Sequence, residues 1–367
     1  MTPSPSPQVD PSDPTGAETP ADLADKAPLS GKAKLQDVAR AAGVSVGTAS
    51  KALNRKTGVS KRNRTAVLKA AIQLGYAVEE EAYSPKALSN VTLLSYGRML
   101  GNDAFYGDIV DGIVEEASRE GLSVEICILD ESQPDQSFQS LSTFPKSAII
   151  MGADVPGVVQ MLGNKNVATV LVNGIDPQMQ VSSVSPDYYY GGWLATKHLL
   201  DLGHRDIVHI THAYRESITQ RESGFRDALE TVDITFDFDQ HILDLGSPDM
   251  ISVAASSIIR DFIKARKTPP TAFFCMSDVV ALGAVQAIKE CGLSVPDDIS
   301  VVGFDGLAVG AHSIPPIASI NIDRKQVGVA AVKTLLERGA FPTSPAKRIG
   351  IGVELVDRRS CAAPRKS

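Results

Sequence analysis

The chain has 367 residues, with 36 lysines and arginines against 43 aspartates and glutamates, so its formal net charge is −7. This length is sufficient for more than one folded domain. The chain contains no run of about 18 apolar residues and does not begin with a basic segment followed by an apolar one, which argues against a membrane span and against export. We therefore predict a cytoplasmic protein with no membrane partner.

Residues 1–30 are dominated by Pro, Ser, Asp and Thr and contain almost no large apolar side chains. Such a segment cannot bury enough surface to offset the entropy lost on ordering. We expect it to be a disordered tail.

Two short helices joined by a glycine turn are predicted in KLQDVARAAGVSVGTASKALN, between Lys34 and Asn54. Gly43 tolerates the positive φ of a sharp turn, and Ser45 is placed to cap the second helix. The outward face of that helix is small, polar and basic, and consists of Val46, Gly47, Ser50 and Lys51. This pattern is typical of the helix-turn-helix, whose second helix enters the DNA major groove. A helix pair inside an ordinary bundle is the alternative.

A third helix, capped by Ser60, is predicted in VSKRNRTAVLKAAIQLGY. Between Gly31 and Val78 there are ten lysines and arginines and the single acid Asp37, a net charge of +9 that leaves −16 for the rest of the chain. Positive charge concentrated on one compact unit favours contacts with DNA phosphates. We predict a DNA-binding domain at residues 31–78, followed by a linker at 79–90.

From Val91 onward, short apolar runs alternate with helical patterns, which predicts parallel sheets covered by helices on both faces. About 270 residues is long for one such sheet, so we predict two α/β lobes within residues 91–361. Ligands in these folds bind beyond the carboxyl ends of strands or in the cleft between lobes. That rule selects seven candidate effector residues, Phe105, Tyr106, Asp187, Arg221, Ser277, Asp278 and Asp305.

Carboxylates, an arginine and aromatic rings suit a polyhydroxylated ligand. The charged groups bond hydroxyl pairs, and an aromatic face packs on the CH surface of the ring. Asp187 and Asp278 are also placed to cap the helices that follow them.

We assign no catalytic or metal-binding motif to the sequence. Residues 43–47 match G-x-S-x-G, but this segment follows a helix, whereas the hydrolase motif follows a strand. The four cysteines show no C-x-x-C spacing, and neither H-E-x-x-H nor a phosphate-binding glycine loop occurs. We predict no enzyme activity, no cofactor and no metal. His204, at a helix end, is expected to contact the last helical carbonyls.

The two helical segments resemble the DNA-binding headpiece of the LacI/GalR family of bacterial transcription regulators. The resemblance continues in SPDYYYGGWLATKHLLDLGHRDIVHI, RESGFRDAL, CMSDVVALGAVQAIKECGLSVPDDISVVGFDG and VELVDRRS. It implies an α/β protein with a three-helix headpiece and a two-lobed parallel α/β body like a periplasmic binding protein. Lobe N would comprise about 91–189 and 322–349, and lobe C about 190–321 and 350–361.

The resemblance also implies a set of DNA-binding residues. They are Val46, Gly47, Thr48, Ser50, Lys51, Asn54, Arg64 and Leu88. Lys51 is expected to carry most of the direct base readout, because lysine donates to guanine O6 and N7. Leu88 matches a leucine that wedges into the minor groove. The three glutamates at 79–81 also fit a plain acidic linker.

The function implied by the resemblance is that of a homodimeric repressor of carbohydrate-utilisation genes, released from pseudo-palindromic operator DNA by a small sugar-like effector. Arg221, Asp305 and Ser277 match effector-contacting positions of the family, and Phe105 and Tyr106 match an aromatic pair in its cleft. The chain departs from the family at Gly306, where a second acid is usual, and at Asp103-Ala104, where Asn-Pro is usual. Alternative functions are a regulator that responds to a nucleoside or another metabolite, a sugar-binding protein without DNA function, and an enzyme fused to a DNA reader.

Overall fold

The computed structural model describes residues 34–53, 58–74, 76, 88–101, 103–212, 215–246 and 251–365. The predicted tail, Asn54 and most of the predicted linker lie outside these ranges. The chain divides into two compact units, Met1–Ser84 and Pro85–Ser367. Within the described ranges, no helix is both long and apolar enough to cross a membrane.

The first unit is the predicted three-helix headpiece. Its helices are α1 (Leu35–Ala41), α2 (Val46–Leu53) and α3 (Lys61–Gln73). Gly43 turns the chain between α1 and α2 at φ +65°. Both predicted caps are confirmed, because Ser45 Oγ accepts from the Thr48 N–H at 3.1 Å and Ser60 Oγ accepts from the Asn63 N–H at 3.3 Å. A small apolar core unites the three helices and includes Val38, Ala39, Ala49, Ala52, Leu53, Val67, Ala70 and Ala71.

The second unit contains two six-stranded sheets, which define its two lobes. The sheet of lobe N has the order β11-β5-β4-β3-β1-β2, and its strands are all parallel. They are β1 (Asn90–Tyr96), β2 (Ser123–Leu129), β3 (Ser147–Met151), β4 (Ala168–Val172), β5 (Ser182–Pro186) and β11 (Arg348–Ile351). The helices of this lobe are α4 (Gly97–Leu100), a π-helix (Asp103–Gly107), α5 (Asp108–Arg119), α6 (Pro134–Gln139), α7 (Pro156–Asn164) and α14 (Arg324–Ala340).

The sheet of lobe C has the order β12-β10-β9-β8-β6-β7. Its strands are β6 (Ile207–Thr211), β7 (Ile242–Asp244), β8 (Ala272–Cys275), β9 (Ser300–Asp305), β10 (Ala318–Ile322) and β12 (Val353–Val356). The helices of this lobe are α8 (Tyr188–Asp201), α9 (Glu216–Glu230), α10 (Phe238–His241), α11 (Ile251–Ala265), α12 (Asp278–Glu290) and α13 (Ala308–Ala311). The central strands of both sheets are buried, as continuous apolar runs predict.

The chain passes between the two lobes at Asp187, Asp323 and Gly352. The first two passages end in the same way, because Asp187 caps α8 and Asp323 caps α14, each accepting a backbone N–H at 2.9 Å. At the third passage, Gly352 alone separates β11 from β12. The chain therefore enters lobe C without a crossover helix, and β12 pairs with β10 in the antiparallel sense. The predicted parallel sheets are confirmed, and β12 is an antiparallel edge strand added to one of them.

Glycines let two helices of lobe C touch through their backbones. A Cβ added at Gly192 of α8 would lie 2.2 Å from the carbonyl oxygen of Arg221 in α9. One added at Gly224 of α9 would lie 2.0 Å from the carbonyl oxygen of Tyr189. Only glycine permits this approach. The α8–α9 contact therefore fixes the position of the Arg221 backbone.

Candidate DNA-binding surface and effector cleft

The predicted base-contacting residues lie on an exposed face of α2. Val46, Gly47 and Lys51 are all exposed, whereas Thr48 and Ser50 are half-buried. The Thr48 hydroxyl bonds to Ser45 Oγ at 2.8 Å. A Cβ on Gly47 would approach only Ser45 Oγ, at 4.0 Å, so the helix surface is flat beside the lysine. A flat, exposed helix face with a basic side chain in its last turn is suited to the major groove.

Arg64 and Leu88 have packing contacts in addition to their predicted roles on DNA. Arg64 of α3 donates from Nη1 to the carbonyl of Ala52 at 3.3 Å, which ties α3 to the end of α2. Leu88 is half-buried and packs on the core of lobe N, where its Cδ1 would lie 3.1 Å from a Cβ on Gly339 of α14. Arg64 therefore has a contact that orients the recognition helix. The wedge role of Leu88 remains a prediction.

A buried ion pair lies in lobe C at the ends of its central strands. Arg221 of α9 and Asp305, the last residue of β9, expose 5% and 8% of their surface. Arg221 Nη2 donates to Asp305 Oδ1 at 3.3 Å, and Nη1 donates to the carbonyl of Met276. The guanidinium carbon lies 4.7 Å from the centroid of Tyr188 and 4.0 Å from that of Phe304, and the two rings are themselves neighbours with centroids 6.0 Å apart. These rings add cation–π contacts to the guanidinium, whose in-plane N–H groups make its hydrogen bonds.

The electrostatics of this pair favour a further polar ligand. Burial raises the pKa of Asp305 to about 7, although Arg221 lowers it. Arg221 Nε is buried and has no hydrogen-bond partner among the described residues. An incompletely bonded buried charge is costly unless another group completes its hydrogen bonds.

The other wall of the cleft belongs to lobe N and carries the predicted aromatic pair. The rings of Phe105 and Tyr106, in the π-helix, meet edge to face with centroids 5.0 Å apart. The Tyr106 hydroxyl accepts from Asn173 Nδ2 at 3.0 Å, and Asn173 Oδ1 accepts from the Tyr188 hydroxyl at 2.5 Å. From lobe C, Arg215 Nη1 reaches the same Tyr106 hydroxyl at 3.4 Å. Asn173 and Tyr188 therefore link Tyr106 of lobe N to the Arg221–Asp305 pair of lobe C, and Phe105 adjoins this group through Tyr106.

Comparison with known proteins assigns both units. Residues 34–79 match the family of bacterial regulatory proteins called the lacI family, and residues 196–361 match a periplasmic-binding-protein-like domain. The chain belongs to the lacI family.

Relatives of this LacI-family chain are repressors. It is 29% identical over 314 residues to the transcriptional repressor PurR of Vibrio campbellii, covering 83% of this chain and 92% of the relative. It is 28% identical over 339 residues to PurR of Haemophilus influenzae, covering 89% and 98%.

Solved structures share this fold over three quarters of the chain or more. A complex of the transcriptional regulator CelR with cellobiose is 26% identical, with a TM-score of 0.65, and the match covers 90% of this chain and 100% of that chain. The lac repressor dimer bound to operator and the anti-inducer ONPF is 25% identical, with a TM-score of 0.64, over 91% and 100%. A LacI-family regulator of Enterococcus faecium with bound ribose shares the fold at 21% identity and a TM-score of 0.63, over 76% and 100%.

The polar residues at two other strand ends of the LacI-family chain are engaged in capping and packing. Asp187 caps α8, as predicted. The prediction that Asp278 caps the next helix is wrong, because α12 begins at Asp278 and Ser277 is its cap, accepting from the Val280 N–H at 3.3 Å. The extended backbone of Ser277 directs its hydroxyl at the free N–H groups, which a residue already inside the helix cannot do.

Asp278 is fully buried and joins three elements of lobe C. Its Oδ1 accepts from the Ser319 hydroxyl at 2.6 Å, and its Oδ2 accepts from the Leu307 N–H at 2.5 Å. Burial raises its pKa to about 6, against the lowering effect of these hydrogen bonds. Effector contacts by Asp187, Ser277 and Asp278 remain predictions, and each side chain already has an internal partner.

Sequence reasoning missed three residues of the cleft. Asn173 directly follows β4, so the strand-end rule would have selected it. Arg215 directly precedes α9, and Tyr188 is the first residue of α8. These two positions have no signal of their own, because their importance comes from the lobe that they face.

The structure explains the departure from the family at Gly306. Gly306, where the family usually has an acid, adopts φ +67°, and a Cβ there would lie 2.4 Å from Asn321 Oδ1. No side chain fits at that position.

His204 does not contact the helix end with its ring, so that prediction is wrong. Its imidazole bonds Thr271 Oγ1 at 2.9 Å and the carbonyl of Ala362 at 2.9 Å, which fastens the C-terminal segment to lobe C.

Proposed function

We propose that this LacI-family chain is a homodimeric transcriptional repressor that leaves its operator when a small polyhydroxylated effector occupies the cleft. The chain is a DNA-binding regulator of transcription. Its headpiece presents Lys51 on an exposed helix face, and its relatives are repressors. Two headpieces of a dimer would read the two halves of a pseudo-palindromic site.

The single observation that carries the effector assignment is the buried Arg221–Asp305 pair. Its free Nε, its carboxylate and the Tyr106 hydroxyl opposite can bond adjacent hydroxyl groups of one small molecule. The aromatic rings of the cleft supply a surface for the CH face of a sugar. The CelR structure contains cellobiose, which supports a sugar-like effector for this chain.

The cleft is nearly closed around these groups. Phe105, Tyr106, Arg221 and Asp305 each expose no more than 8% of their surface. A ligand can enter only when the lobes separate, so its binding favours one lobe arrangement over another. Release from DNA follows if the operator prefers the other arrangement.

The function is tested by selecting genomic fragments with the purified full-length protein at roughly 0.15 M salt, where screening suppresses non-specific binding. We expect enrichment of one near-palindromic motif. Enrichment of unrelated fragments, or of none, would contradict sequence-specific repression.

The effector class is then tested by fluorescence anisotropy on the selected operator, with ribose, cellobiose, other small sugars and nucleosides as competitors. Arg221→Ala and Asp305→Ala should abolish release by the active compound while operator affinity survives. Arg226→Ala is the matched control, because Arg226 lies on the same helix but stacks over Phe236 at 4.5 Å. Loss of operator binding in the two cleft variants would indicate a structural role for the pair, and release by nucleosides alone would exclude the sugar.

A further inference from the structure

Arg324 is the first residue of α14, immediately after the second passage of the chain between the lobes. Only 13% of its side chain is exposed, which is unusual for arginine unless its charge is paired. Its Nε and Nη2 contact Asp108 Oδ2 at 3.0 and 2.9 Å, and its Nη1 donates to the carbonyl oxygen of Asp305 at 2.5 Å. One guanidinium therefore binds both lobes.

The two partners of Arg324 are continuous with the two walls of the cleft. Asp108 begins α5 in lobe N, two residues after Tyr106. Asp305 ends β9 in lobe C and pairs with Arg221. Arg324 thus connects the aromatic wall of the cleft to its charged wall.

The backbone of Asp305 requires such support. Its φ is +100°, in the left-handed region that non-glycine residues rarely adopt. Gly306 follows at φ +67°, and its N–H donates to Ser319 Oγ at 3.1 Å. Arg221 binds the carboxylate of Asp305 and Arg324 binds its carbonyl, so the residue is held at both ends and has little freedom to move independently.

We propose that Arg324 is a positioning residue that holds Asp305 for the effector and couples the cleft to lobe N. The proposal rests on the assignment of Asp305 to the effector site. A ligand that displaces the Asp305 carboxylate moves the strained turn, and the carbonyl transmits that movement to Arg324. The ion pair with Asp108 then carries it to α5 of lobe N.

The neighbouring residue provides a matched control. Lys325 also pairs with an acid of α5, because its Nζ lies 2.6 Å from Glu115 Oε1. This pair joins the same two helices and lies on the exposed side of lobe N, with about half of each side chain in solvent. Lys325→Gln removes an α5–α14 ion pair and leaves the Asp305 carbonyl with its partner.

The first experiment is hydrogen–deuterium exchange with mass spectrometry on the full-length protein without ligand. Arg324→Gln should raise exchange about 10-fold at residues 306–309 and at 105–112, because hydrogen bonds to a charged group in both lobes are lost. Lys325→Gln should leave exchange at 306–309 unchanged. Equal exchange at 306–309 in the two variants would overturn the proposal.

A double-mutant cycle tests the coupling without an effector. Asp305→Asn should change exchange at 105–112 in the otherwise unmodified protein, and this change should disappear when Arg324→Gln is also present. Additive effects would mean that the coupling does not pass through Arg324. If Arg324→Gln fails to fold, Arg324→Lys serves instead, because an amine cannot make all three contacts and should lose protection in one lobe only. These results do not depend on any sugar, so failure of the effector assignment is distinguishable from failure of this proposal.

Discussion

Replacing Gly192 with alanine tests whether the backbone contact between α8 and α9 sets the position of Arg221. The added Cβ would lie 2.2 Å from the Arg221 carbonyl oxygen, and both atoms belong to helices that cannot yield locally. Reaching a tolerable contact requires the helices to separate by roughly 1 Å. Arg221 Nη2 is already 3.3 Å from Asp305 Oδ1, so a shift of that size breaks the bond between them.

The free energy of this change combines two opposing effects. Overpacking a tight contact costs about 1–3 kcal/mol, and a backbone clash belongs at the upper end of that range. Alanine gains about 1 kcal/mol over glycine in a helix. We expect Gly192→Ala to lower the free energy of unfolding by about 2 kcal/mol.

Gly163 of α7 is the matched control, because a Cβ there has no atom within 4 Å. Gly163→Ala should raise the free energy of unfolding by up to about 1 kcal/mol. Trp193 is the only tryptophan of the chain and follows Gly192 in α8, so its fluorescence reports urea unfolding of lobe C. If Gly192→Ala has the same midpoint and m-value as the unmodified protein, the α8–α9 contact does not position Arg221.

The remaining predictions concern DNA and pH. Lys51→Ala should cost about 1–3 kcal/mol at one base pair per half-site in operator-variant titrations, and an unchanged sequence preference would refute its assignment. If Leu88 is the wedge, Leu88→Ala should reduce both operator affinity and DNA bending in a circular-permutation assay. Unchanged bending would show that Leu88 acts only by packing on lobe N. His209 is fully buried on β6, and burial lowers its pKa to about 3. Because only the unfolded chain binds the proton between about 6.5 and 3, stability should fall by about 1.4 kcal/mol per pH unit on acidification through that window. His209→Leu should flatten this dependence in urea titrations at pH 5 and 6, and an unaltered slope would show that His209 is not its source.

Features within one helical turn were accessible to sequence reasoning. The caps Ser45, Ser60 and Asp187 accept hydrogen bonds from backbone N–H groups three residues further along the chain. The position of a capping residue in the sequence therefore predicts its hydrogen bond. Hydrophobic periodicity identified the headpiece helices and the buried strands for the same reason. The misassigned cap at Asp278 shows the limit of this reasoning, because a shift of one residue changed the role of its carboxylate from capping to joining Leu307 and Ser319.

The helix-turn-helix, the alternation of strands and helices, and the strand-end acids could be predicted from the sequence, because they depend on contacts between near neighbours. Which of the strand-end residues meet depends on how distant parts of the chain fold together. Tyr106 and Arg215 are 109 positions apart, and Arg324 and Asp108 are 216 apart, yet each pair is within contact distance. Such contacts form because the chain passes between the two lobes and brings distant residues together. Their energies depend on how deeply the groups are buried and on the charges around them. The spacing of residues along the chain does not reveal either property.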